Sequence, residues 1–344
     1  MKKNLLAIAV GAAVALPGLA LADGPTVYGK VNISLENQEN EIGQSGSVDD
    51  DWSLNSNASR VGIKGDFDLD FAGLKAIYQA EYQISVDGDD DEFSQRNIFG
   101  GLAGDFGVLK AGKFDTPTKV AQGKVDQFND LQGDIKNIMA GENRAGNIIQ
   151  YSTPLLAEMI TLNGAFIPGE GEDIDGDGKD DNDLADSYSL SIVAEQGIFY
   201  GALSHDTDIE DELAMSSERV GGASTLDITR AVVMLKPGNV ELGALYQIAK
   251  EAEDLTGAGK GEENSFLVSG AYKIDRWKLK AQYGLTEGDK SDDEATLMAV
   301  GADYKLAKAS KVYAYFSQVS YEPDASGAED RDDTTFGVGM EHKF

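Results

Sequence analysis

From residue 27 onward, the apolar residues of this chain fall on every second position. Val27, Gly29, Val31, Ile33 and Leu35 interleave with Tyr28, Lys30, Asn32, Ser34 and Glu36. Successive residues of an extended strand point to opposite faces, so one face is apolar and the other polar and charged. The pattern recurs. Val61, Ile63, Gly65 and Phe67 alternate with Arg60, Lys64 and Asp66, and Leu74 to Ile84 alternates in the same way. Val240 to Ile248, Phe266 to Ile274, Trp277 to Leu285 and Phe336 to Phe344 each give one more apolar face. Past the leader, no run approaches the roughly 20 uninterrupted apolar residues that a membrane helix needs.

The connections alternate too. Short turns at 68–71, 236–239, 275–276 and 307–309 are separated by long, acidic, Gly-rich loops. The loops run over about 37–57, 87–93, 116–142, 168–186, 206–223, 251–263, 287–294 and 322–333. Counting strands between these landmarks gives sixteen. A strand with its connection then averages about 20 residues, which suits strands of about 9–11 residues.

A soluble β-sandwich also alternates, but it turns its apolar face inward against a second sheet. A membrane barrel turns that face to lipid and its polar face to a wet lumen. Three features favour the barrel. The polar faces carry Lys, Arg, Glu and Asp together. Short and long connections alternate, as when all short turns lie on one side of a membrane. Tyr and Trp cluster near strand ends, where amphipathic rings prefer the interface. Closure also pairs every strand edge, which lipid demands. The expected fold is therefore all-β, a 16-stranded antiparallel transmembrane barrel.

Composition narrows the function. With 60 acidic and 29 basic residues, the formal net charge is -31. Nucleic acid is excluded as a partner, because phosphate binding needs a basic face. Cysteine is absent, which removes disulfides, thiolate metal sites and a Cys nucleophile. Two histidines, His205 and His342, are too few for a multi-histidine zinc site. At the start, Lys2 and Lys3 precede the apolar run Leu5 to Leu16, and Ala20-Leu21-Ala22 offers an A-x-A cleavage site. Residues 1–22 are read as a cleaved secretory signal and 23–344 as the barrel domain. Losing the leader removes two lysines and makes the rest more acidic.

The sequence resembles the Gram-negative general porins over essentially the whole mature chain. The resemblance rests on Val27-Tyr28-Gly29-Lys30, Ser59-Arg60-Val61-Gly62-Ile63-Lys64-Gly65, and Gly107-Val108-Leu109-Lys110-Ala111-Gly112-Lys113. It rests further on Asn147-Ile148-Ile149-Gln150-Tyr151-Ser152-Thr153-Pro154 and on the final Gly337 to Phe344. It implies a homotrimeric outer-membrane channel with short periplasmic turns, long extracellular loops and a third loop folded inward to narrow the pore. Here that loop is about 116–142. The family sets basic wall residues opposite acidic loop residues. By motif position, Arg60, Lys113 and Arg144 match the wall, and Asp126, Asp130 and Asp134 are the loop acids. Phe344, closing an alternating strand, resembles the family's signal for the β-barrel assembly machinery. Outer-membrane lipid and lipopolysaccharide are the implied surroundings.

Such a site needs no cofactor and no catalysis. Fixed charges in a narrow wet passage choose among small hydrophilic solutes and ions by long-range attraction. The acidic loops form a negative vestibule, which predicts a mild cation preference unless the basic wall dominates at the narrowest point. A porin selective for anions or a sugar is the alternative; a barrel enzyme or adhesin is a more distant one. His205, beside Asp206 and Asp208, is the only candidate base and has no positioned nucleophile. One loop, Asp173-Ile174-Asp175-Gly176-Asp177-Gly178-Lys179, matches the opening of a calcium loop over 173–184. Asp173, Asp175, Asp177 and Asp181 would supply its carboxylates, but Leu184 stands where a bidentate Glu belongs. A plain acidic external loop is the competing reading.

Overall fold

The computed structural model describes residues 24–42, 47–88, 93–169, 184–185, 187–214, 225–252, 260–289, 293–323 and 329–344. The leader 1–22 and the acids Asp173, Asp175, Asp177 and Asp181 lie outside the described residues. Sixteen strands form one sheet. β1 is Thr26–Ile42, and β2 runs Ser47–Ser56 and resumes as Arg60–Asp68. Both parts of β2 pair with β1, through Ile33 opposite Ser56 and Lys30 opposite Arg60, so they are one interrupted strand. Then follow β3 (Lys75–Gln83), β4 (Ser94–Gly104), β5 (Gly107–Asp115), β6 (Arg144–Ser152), β7 (Ile160–Ile167) and β8 (Ser187–Gln196). The second half is β9 (Phe199–Glu210), β10 (Thr225–Leu235), β11 (Val240–Glu251) and β12 (Glu262–Ile274). It ends with β13 (Trp277–Gly288), β14 (Glu294–Ala307), β15 (Ser310–Glu322) and β16 (Arg331–Lys343).

Every neighbouring pair is antiparallel, and β16 returns to β1 with Lys343 opposite Lys30. The sheet closes, which leaves no strand edge unpaired in the apolar environment the outer face requires. The seam is finished by the last residue: Gly29 N donates to Phe344 O at 2.9 Å, and Phe344 N donates to Gly29 O at 3.1 Å. Among the described residues, no helix is long and apolar enough to cross a membrane. Crossing is left to the strands.

The alternation read from sequence sets which face looks out. Leu242 and Tyr246 of β11, Phe266 and Tyr272 of β12, and Trp277, Leu279 and Tyr283 of β13 are all exposed on the outer wall. Their neighbours Gln247, Ser265, Lys280, Gln282 and Thr286 are buried on the inner wall. Apolar residues outside and polar ones inside is the reverse of a soluble core, as lipid demands. Aromatic pairs mark the rims. Trp277 and Tyr304 lie 4.8 Å apart near the short turns, and Tyr82 and Phe93 lie 6.2 Å apart near the long loops.

The turns between β10 and β11, β12 and β13, and β14 and β15 fall where the sequence placed them, on the rim that holds Phe344. The first long loop does not. Residues 37–42 and 47–56, expected within a loop over 37–57, are strand. Their ladder continues past the apolar segment with polar partners, such as Gln38 opposite Asp51. Backbone pairing there needs no apolar face, so alternation could not reveal it.

Candidate functional site

Between β5 and β6 the chain leaves the wall and crosses the lumen as a folded loop, here L3. Thr116 caps a single helical turn, Pro117–Ala121, by accepting from Lys119 N at 3.3 Å. Pro at the first helical position is already set for that turn. A 3-10 turn, Ile135–Asn137, follows, capped by Asp134. L3 packs its apolar residues on the inner wall of β9 to β15. Val125, Ile135, Ile138 and Met139 form one dry cluster with Ala202, Val232, Met234, Leu245, Leu267 and Leu297. Phe128 and Leu131 form another with Ala299, Tyr313 and Tyr315. Each large side chain buried this way is worth about 1.5–3 kcal/mol.

Polar wall residues fasten the loop's backbone. Gln282 accepts from Gln127 N at 2.8 Å and donates to Gly133 O at 2.7 Å. Lys280 Nζ donates to Gln127 O at 2.9 Å, and Thr286 donates to Ile138 O. Tyr200 and Tyr321 donate to Ala121 O and Asn137 O at 2.8 and 2.7 Å. At the returning root, Arg230 is fully buried. It donates to Ala140 O at 2.8 Å and Gln247 Oε1 at 2.7 Å, and pairs with Glu142 at 3.0 Å. Gly141 sits against it with φ +94°, and a Cβ there would come within 2.6 Å of the guanidinium. Only glycine fits that backbone conformation and that gap.

L3 packs on β9 to β15, and across the lumen from there stands the inner wall of β1 to β4. Tyr28, Lys30, Arg60, Lys64, Glu81 and Arg96 line this wall. Arg96 pairs with Glu81 at 3.0 Å and donates to Gln83 at 2.9 Å. Arg60 Nε stands 3.9 Å from the same carboxylate, and Tyr28 donates to it at 2.9 Å. Lys64 lies over the Tyr28 ring at 4.9 Å. From L3, Asp130 reaches Lys30 at 2.7 Å. Burial alone would raise the Asp130 carboxyl pKa, but the Lys30 and Arg60 cations hold it below the ordinary carboxylate range.

The six residues named from sequence separate here. Arg60 and Asp130 come together, close enough for the guanidinium to help hold the carboxylate charged. Arg144 lies farther along the wall, paired with Asp115 at 2.8 Å and donating to Asn97 at 3.1 Å. Lys113 sits in β5 where the pairing with β6 shifts register, opposite Ile98, whose own partner Ala80 continues the outward column through Ile63. Asp126 and Asp134 are buried inside L3. Asp126 accepts from Phe128 N at 2.7 Å and Ile135 N at 3.2 Å. Asp134 accepts from Asp130 N at 2.8 Å and Lys136 N at 2.9 Å. Both organise the loop's turns. The charged L3 side chains that stay exposed are Lys124 and Lys136.

Lys30, Glu81, Arg96, Glu142 and Arg230 were not singled out from sequence. Lys30 and Glu81 stood on recognised polar faces, so the alternation could have nominated them. Arg96 lies in a strand whose pattern is blurred by the register shift between Ala80 and Tyr82. Nothing local marks Arg230. Of the two histidines, His205 bonds Thr229 at 2.9 Å and His342 bonds Ser310 at 2.8 Å, both on the outer face. Neither stands in the passage.

Comparison with known proteins accords with this geometry. A family model described as Gram-negative porin matches residues 7–324. The major outer membrane protein P.IB of Neisseria sicca is 25% identical over 369 residues, and that of Neisseria meningitidis serogroup A is 27% identical over 362. Both alignments cover 100% of each chain. Among solved structures, the anion-selective porin from Comamonas acidovorans superposes with a TM-score of 0.75 at 20% identity. It covers 93% of this chain and 99% of that one. A trimer form of OmpT from Vibrio cholerae gives 0.64 at 19% identity, covering 93% and 99%. The closed sixteen-stranded barrel, its apolar outer wall and the family match across nearly the whole chain place this protein among the Gram-negative porins, channels of the outer membrane.

Proposed function

We propose that the protein is a passive diffusion pore for small hydrophilic solutes and ions, working as a homotrimer, whose eyelet favours anions. One observation carries the ion preference. Lys30, Arg60, Lys64 and Arg96 surround Glu81 and Asp130, and L3 exposes Lys136 toward the lumen. Cations outnumber carboxylates at the narrow passage, although the whole chain is strongly acidic. Selectivity is set chiefly where the passage is narrowest and least screened. The acidic loops favour cations only at the mouth, which argues against the cation preference expected from net charge. Basic residues along one wall and Asp130 on the other set a field across the pore in which polar solutes orient. No solute is held tightly, because conduction requires easy exit. With His205 and His342 on the outer face, the passage offers water and fixed charge and no histidine base, which supports permeation over turnover. The trimer form of the Vibrio cholerae relative and the outward Phe344 at the closing seam support assembly as a trimer in the outer membrane.

The test is the zero-current potential of the purified protein in a planar bilayer under a KCl gradient. The expected result is an anion-signed potential, with conductance appearing in steps of three. Arg60→Ala should move the potential toward cations. A cation-signed potential that Arg60→Ala leaves in place would return the decision to the acidic loops.

A further inference from the structure

On the short-turn side of L3, the lumen wall carries two lysine–carboxylate–lysine triads. Glu241 of β11 is clasped by Lys273 of β12 at 2.5 Å and Lys278 of β13 at 2.8 Å. Asp303 of β14 is clasped by Lys280 of β13 at 3.4 Å and Lys311 of β15 at 2.9 Å. Lys278 and Lys280 stand two positions apart on one strand face, so their backbones are about 7 Å apart. Each triad keeps one uncompensated positive charge.

L3 adds a further cation from above. Val125 is seated against Gly243, two residues from Glu241, and this brings the exposed Lys124 to the same region. Lys124 forms no ion pair among the described residues. Packing against the wall, and then the ammonium groups of Lys236, Lys343 and Lys278, pull the Lys124 ammonium below its ordinary range. Lys343 is paired with Glu341 and Lys278 with Glu241, so the carboxylates offset part of this crowding and leave an excess of positive charge that an added anion would offset further. A monovalent ion would meet only one ammonium at a time. Lys280 is buried and donates to Gln127 O, but an anion with several charged oxygens can take charge-assisted hydrogen bonds from more than one of the accessible ammonium groups of Lys124, Lys273, Lys278 and Lys311.

We propose that this region is a reversible binding station for multivalent oxyanions such as phosphate-bearing solutes, reached from the short-turn mouth and separate from the eyelet. It rests on the pore being open and not on the ion preference of the eyelet.

Single-channel recording with tripolyphosphate added to one side at a time tests this. The chain has no cysteine, so Asn239→Cys in the turn before β11 gives a unique handle. Its reaction with a membrane-impermeant maleimide identifies the short-turn face. Block from that face should need about tenfold less tripolyphosphate than block from the other, the scale of two or three partly exposed charge contacts. The double variant Lys124→Gln, Lys278→Gln should lose this sidedness, while Arg60→Ala keeps it. Equal block from both faces, or sided block that survives in the double variant, would overturn the proposal. Should the double variant fail to insert, calorimetric titration of the wild-type trimer in detergent decides. Heat with tripolyphosphate that chloride at equal ionic strength does not give supports the station, and its absence removes it. The eyelet reading stands or falls separately, on the KCl zero-current potential.

Discussion

Lys30 Nζ on β1 lies 2.7 Å from Asp130 Oδ2 at the tip of L3, so the loop is clamped to the strand that also closes the barrel against β16. The contact sits within reach of Arg60 and Arg96, and it is the one carboxylate that L3 presents to the basic wall. Asp130→Asn should therefore act on permeation as well as on the seating of L3. The zero-current potential should move further toward anions. The thermal midpoint should also fall, because Lys30 is buried and would lose its partner, and breaking a buried pair from one side costs up to about 3–5 kcal/mol. Bilayer recording and a melting curve in detergent check the two halves. A large loss of stability with an unchanged potential would make the pair a strut without a role in selection.

Arg230 has a different role. Removing it leaves Glu142 buried without its cation, and breaking a buried pair from one side costs about 3–5 kcal/mol. That cost falls on the returning root of L3. Arg230→Met should leave the barrel folded, judged by its resistance to detergent at room temperature, while open-channel noise rises. A protease should then cut within 116–142. Gly141→Ala should reproduce the effect in part, since its Cβ would press on the guanidinium. If both variants conduct as quietly as the wild type, the root is held by the remaining contacts alone.

Phe128 fixes the tip by packing. It is fully buried against Tyr315, with ring centroids 6.5 Å apart, and Lys280 Nζ lies over the Phe128 ring, 4.3 Å from its centroid. Phe128→Ala should destabilise the seated loop by about 3–5 kcal/mol. Lys30 then has to hold Asp130 without that support. The eyelet should widen, so conductance and the uptake of larger neutral solutes into liposomes should both rise.

Asp126 gives the loop a pH dependence. Burial, and then the nearby Asp134, raise its carboxyl pKa well above the ordinary value. A carboxyl with a raised folded pKa binds its proton more tightly in the seated loop than in the released one. Its contribution is fully present below the unfolded value and is lost as pH rises through the folded value. L3 should thus be seated most firmly in mild acid and loosen toward alkaline pH. Protease susceptibility of 116–142 measured across pH should rise with pH in the wild type and rise less steeply in Asp126→Asn, where Asp134 and Glu142, also raised by burial, still titrate. An opposite slope would mean that the Phe128 and Ile135 amide donors hold the carboxylate charged.

The membrane orientation of each strand was already present in the order of residues. Alternation in Trp277 to Leu285 or Phe336 to Phe344 gives the same answer in any extended conformation, because pleating sends neighbours to opposite faces whatever lies beyond. Arg60 was legible for that reason, on the polar face of a recognisable strand. The role of the L3 acids was not. Asp126, Asp130 and Asp134 are equally acidic and equally spaced, yet two turn inward to cap backbone amides and one reaches the wall. That division depends on where Phe128 and Ile135 find apolar partners on β12, β14 and β15, more than a hundred residues away. The gathering of cations beside L3 was likewise decided by folding. Summed along the chain, acid predominates, but the barrel sends much of it to the long loops and gathers Lys30, Arg60, Lys64 and Arg96 around the passage. Local pattern determines which way a side chain points; only the closed sheet, with its loop folded inside, determines what it meets.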